Sequence, residues 1–139
     1  MKTNGIAYRS GYKYQLARTY TIGINIKPKK SIITNFIDLT TTGTLTIFDG
    51  YAWDGPSGPV IDTKENMRAS LVHDALYQLM RNKKLTAKAY KVKADKLFMK
   101  ICREDGVPRT TAYIYYLGLR LGGKPATDPK NKKKTHRAP

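Results

Sequence analysis

From Thr19 to Phe48 the chain alternates. Tyr20, Ile22, Ile24 and Ile26 are separated by smaller or polar residues, and a period of two predicts a half-buried strand, closed by Pro28. Asn35 to Thr40 and Thr44 to Phe48 are two further β-rich runs, and Thr41-Thr42-Gly43 between them predicts a short hairpin loop. Beyond Tyr51 regularity stops, because residues 55–59 contain two Gly and two Pro and predict an irregular, shaped loop. The period then becomes helical. Met67, Leu71, Ala75 and Leu79, with Val72, Leu76 and Met80, make an apolar stripe, with Asp62 or Thr63 as N-cap. After Asn82-Lys83-Lys84-Leu85 a second stripe (Ala87, Tyr90, Ala94, Leu97, Phe98, Ile101) predicts a helix from Thr86 to Glu104, with Gly106 as its C′ residue. Pro108 opens a third helix that runs to about Leu121.

These elements predict an α+β fold, a small antiparallel β element followed by an antiparallel pair of helices and a third helix. A single domain is expected over residues 19–123, between a basic N-terminal arm (1–18) and a Lys- and Pro-rich disordered tail (124–139). The one cysteine, Cys102, rules out an intramolecular disulfide. No apolar run approaches the roughly 20 residues of a membrane-spanning helix, and the first eighteen residues do not read as a signal peptide.

Charge sharpens this picture. The formal net charge is +16, yet residues 38–79 hold six acids and two bases, a local −4, which leaves +20 for everything else. A basic periphery implies an anionic partner, lipid headgroups or nucleic acid. Arg9, Lys13 and Arg18 in the first arm and Lys132, Lys133 and Lys134 in the tail are the candidate contacts. The acidic island is a candidate cation site.

Its chemistry centres on His73. Tyr77 lies four residues on, on the same helix face. If the first two helices pair antiparallel about residue 84, His73 and Asp95 stand level, each 11 residues from the centre. A carboxylate bonded to an imidazole selects its tautomer and stabilises its protonated form, the requirement of a general base. Asp74 projects about 100° away, towards oxygen ligands from the 51–59 loop of the kind that Ca²⁺ takes.

The run Tyr51…Gly55-Pro56…Gly58-Pro59, His73-Asp74-x-x-Tyr77 and Ala94-Asp95-x-x-Phe98 resembles phospholipases A2, especially the disulfide-free type of parvoviral capsid proteins. The resemblance covers residues 51–98. It implies a phospholipase A2-like core with His73 as base, Asp95 as its support, Tyr77 in the same network, and Ca²⁺ held by Asp74 with Trp53, Asp54 and Gly55. Trp53-Asp54-Gly55-x-Ser57 with His73-Asp74 and Ala94-Asp95 is also similar to a family of small bacteriophage-encoded proteins of unknown function, over residues 48–121. That similarity implies a phage origin and no mechanism.

Two function classes lead, with a nucleic-acid-binding accessory protein ranked behind them because no known recognition motif is present. One is a calcium-dependent ester hydrolase working at an anionic lipid surface. The other is a non-enzymatic virion component of tail or capsid, its helix pair a scaffold and its basic arms on DNA or neighbouring subunits. Both place the protein in the phage virion or the host cytoplasm. In the second, Asp95 makes an ordinary ion pair among Lys91, Lys93 and Lys96, and Trp53 packs a structural corner.

Overall fold

The computed structural model describes residues 5–9, 14–54 and 63–122. They fall into two compact units, the first reaching to Asp54 and the second beginning at Gly55.

The first unit is built of strands. β1 (Tyr8–Arg9), β2 (Tyr14–Leu16), β3 (Tyr20–Gly23), β4 (Ile32–Ile33), β5 (Ile37–Leu39), β6 (Thr44–Ile47) and β7 (Ala52–Trp53) form two antiparallel sheets, β1-β2-β7 and β3-β6-β5-β4. The register of the larger sheet follows from its alternation. Tyr20 and Ile37 flank Ile47, and Ile22 and Leu39 flank Leu45. One face is thus an apolar row, while Thr21, Thr46 and Asp38 line the other. At the β5–β6 turn Gly43 adopts φ +91°, and a Cβ there would stand 2.3 Å from the Ile24 carbonyl oxygen, so only glycine fits. In the smaller sheet the Trp53 ring packs among Tyr8, Tyr14 and Tyr51.

This architecture corrects the expectation of a small β element and, with it, of a phospholipase A2-like core. Seven strands in two sheets precede the helices among the described residues. The physical reason is strand length. β1, β4 and β7 are two residues each, too short to display a period of two, and β1 and β2 lie in a stretch whose charge dominates its pattern. Ala52–Trp53 pairs with Tyr14 and Gln15 through backbone bonds, which the neighbouring Gly and Pro residues conceal.

The second unit holds α1 (Lys64–Arg81), α2 (Ala87–Glu104) and α3 (Arg109–Gly122). Thr63 caps α1, and Asn66 Oδ1 accepts its backbone N–H at 3.0 Å, one half of a capping box. At the end of α2 the Val107 N–H reaches the Cys102 carbonyl (2.9 Å) and the Gly106 N–H reaches that of Arg103 (3.3 Å), a Schellman motif with Gly106 at φ +105°. α1 and α2 run antiparallel. Arg68 meets Glu104 and Asp105 at one end, and His73 meets Asp95 further along. Leu71, Ala75, Leu76 and Leu79 from α1 and Ala94, Phe98 and Ile101 from α2 are buried. No helix among the described residues is long and apolar enough to cross a membrane.

Candidate functional site

α1 and α2 bury between them the one histidine and the one carboxylate that the spacing brings level. The His73 and Asp95 side chains are 4% and 0% exposed, and His73 Nε2 lies 2.8 Å from Asp95 Oδ1. The Tyr77 hydroxyl, one turn beyond His73, donates to the same oxygen. The His73 and Tyr77 rings are 4.0 Å apart by centroid, and Phe98 meets the imidazole edge-on at 5.3 Å. The other oxygen, Oδ2, accepts from Lys91 Nζ at 3.0 Å and from an Arg120 guanidinium nitrogen at 2.9 Å. Lys91 also donates to the Leu119 carbonyl at 3.2 Å. One buried carboxylate therefore gathers donors from all three helices.

Burial by itself pushes the Asp95 pKa up, but hydrogen bonds from His73, Tyr77 and Lys91 outweigh it and bring the carboxyl down to about 2. Asp95 is an anion at neutral pH, and an anion only accepts. The His73 nitrogen facing it must carry the hydrogen, so the tautomer follows from the network. Burial lowers the pKa of His73 against the opposing pull of Asp95, which keeps the imidazole neutral. Its lone pair is then on Nδ1, which makes no hydrogen bond among the described residues. Burial and Asp95 push Tyr77 far up, so its hydroxyl keeps its proton. The chemical result is an oriented, unprotonated base backed by a carboxylate that would stabilise the imidazolium after proton uptake.

Of the residues anticipated from sequence, His73, Tyr77 and Asp95 come together. Asp74 is half-buried on α1. Trp53 is buried in β7 and Asp54 is exposed after it, both in the first unit, while Gly55 lies outside the described residues. No group of three or more His, Cys, Asp and Glu side chains stands together as a metal cage among the described residues. Arg18 is exposed. The side chain of Arg9, and Lys13, Lys132, Lys133 and Lys134, lie outside the description.

Arg120 was not anticipated at the site, and Lys91 only as one of three lysines that could pair with Asp95. Lys91 stands four residues before Asp95, a spacing that pairs charges on a helix. Nothing in the sequence pattern signals Arg120, which arrives from α3.

A model of the family described as protein of unknown function (DUF1353) matches residues 36–119. The chain belongs to this family. The DUF1353 match runs from the larger sheet through α1 and α2 and into α3, taking in His73, Tyr77, Lys91 and Asp95 and ending one residue before Arg120. No curated protein matches the chain, and no solved structure does.

Proposed function

We propose that this DUF1353 protein is phage-encoded and hydrolyses esters at an anionic lipid surface, with His73 as the general base and Asp95 as the carboxylate that positions it. The observation that carries the reading is the 2.8 Å contact between His73 Nε2 and Asp95 Oδ1. It leaves Nδ1 as the basic atom. His73 would take a proton from water through Nδ1 as that water attacks the ester carbonyl, Asp95 would balance the charge that develops on the ring, and the imidazolium would return the proton to the departing alcohol oxygen as the acyl C–O bond breaks. Tyr77 and Phe98 hold the imidazole plane. The likeness of His73-Asp74-x-x-Tyr77 and Ala94-Asp95-x-x-Phe98 to phospholipases A2 supports the choice of ester, and it is a likeness of motif without one of fold.

Calcium belongs to the proposal as a dependence to be measured. Asp74 is the ligand proposed from the helical unit, and no step is assigned to the ion.

A second reading has its own observation. Lys91 and Arg120 share Oδ2 of Asp95, so the same carboxylate ties α1, α2 and α3 together, as a non-enzymatic virion component built on this scaffold would require.

Release of free fatty acid from phosphatidylglycerol-containing vesicles separates the two, with the native chain compared with His73→Ala in Ca²⁺ and in chelator. The hydrolase reading predicts release that falls about 10²- to 10⁴-fold in His73→Ala. Equal release by both, or none under either condition, favours the scaffold.

A further inference from the structure

The outer face of α3 is apolar. Ala112 and Leu119 are buried, whereas Tyr113, Ile114, Leu117 and Leu121 are 52%, 54%, 41% and 89% exposed. At about 100° per residue these four occupy an arc of roughly 100°, opposite the buried pair. Such a stripe has no counterpart in a helix that merely closes a core. Tyr113 and Tyr116 stack with ring centroids 6.2 Å apart at one edge of the arc, beside Arg109 and Arg120. Residues 109–122 contain no acid.

We infer that this face docks on an anionic lipid surface, with Tyr113, Ile114, Leu117 and Leu121 entering the headgroup boundary and Arg109 and Arg120 meeting lipid phosphates. The charge of the chain selects this occupant. A second copy would bring +16 against +16, whereas an anionic bilayer supplies both an apolar layer and the opposite charge. Tyrosine suits the boundary because its ring is apolar and its hydroxyl stays wet. The inference rests on the lipid-surface reading above and gives it a location. Arg120 links the two, since it borders the stripe and holds Asp95 Oδ2 at 2.9 Å. Docking would therefore place headgroups beside the His73–Asp95 pair.

The test is co-sedimentation of the full chain with vesicles of phosphatidylcholine alone or with phosphatidylglycerol added, comparing the native protein with the double variant Leu117→Gln, Leu121→Gln. Glutamine keeps the charge and the helix propensity while removing apolar contact. The native chain should bind the anionic vesicles, and the double variant should bind them at least about tenfold more weakly with its thermal melt unchanged. Native-like binding by the variant, or no binding by the native chain, overturns the inference. So does a dimer seen in sedimentation velocity that the variant abolishes, which would assign the face to a second copy. Binding is measured without turnover. Loss of fatty acid release with the docking pattern intact would refute the hydrolase alone, and release together with native-like binding by the variant would refute the face alone.

Discussion

His73 and Asp95, 22 residues apart, meet through Nε2 and Oδ1 at 2.8 Å with both side chains buried. This contact sets the tautomer of the ring, and the rest of the network sets the charge of the carboxylate. Stability and chemistry at this site depend on the same atoms.

Removing the carboxylate should damage the fold first. Asp95→Ala leaves Lys91, itself buried, without its counter-charge, and loss of about 3–5 kcal/mol is expected for breaking a buried ion pair from one side. Asp95→Asn keeps the shape and one acceptor, and should lose less. Urea denaturation of both variants measures the difference.

Stability should fall with acid in two stages. His73 has a folded pKa below its usual 6.5, so the unfolded chain takes up protons first and stability declines as pH drops below 6.5. Asp95 is held down to about 2 from 3.8, so its contribution is complete above pH 3.8 and disappears as pH falls towards 2. His73→Gln should abolish the first stage and leave the second. Thermal melts across pH 2–8 would show this, and an unchanged first stage in the variant would contradict it.

The Tyr77 hydroxyl helps to keep Asp95 ionised. Tyr77→Phe should lower stability by about 1 kcal/mol and narrow the acid stage by raising its lower end above 2, while its onset near 3.8 stays where it is, an effect that the same melts detect.

Arg68 is buried on α1 and makes a two-pronged contact with Asp105, through Nε at 2.9 Å and a terminal nitrogen at 3.0 Å, and a further bond to Glu104 at 2.8 Å. Arg68→Lys cannot reproduce the fork. A loss of about 2–3 kcal/mol is expected for Arg68→Ala, below the value for fully buried pairs because the Glu104 side chain is already 40% exposed to water. Denaturant midpoints test it.

The helices were legible because their stripes are long. Met67 to Met80 and Ala87 to Ile101 each repeat over several turns, and the break at residues 82–85 made an antiparallel pair the simple solution, from which the level of His73 and Asp95 followed. The larger sheet was legible in part, since Ile37, Leu39, Leu45 and Ile47 alternate cleanly. The smaller sheet was not, because strands of two or three residues are made by backbone pairing and carry no period. Lys91 was recognised only as a neighbouring charge, since spacing alone does not reveal burial. Arg120 was missed because its contact depends on how α3 packs, which no local pattern encodes.

His73 is a neutral base with its hydrogen on Nε2 and its lone pair on Nδ1. Nitrogen NMR of the imidazole in the full chain reads both atoms directly. At pH 7 the His73 ring, told apart from that of His136 by its absence in His73→Gln, should be neutral with Nε2 protonated and Nδ1 bare, titrating only below 6.5. A ring protonated on Nδ1 alone, or an imidazolium at pH 7, would contradict the account.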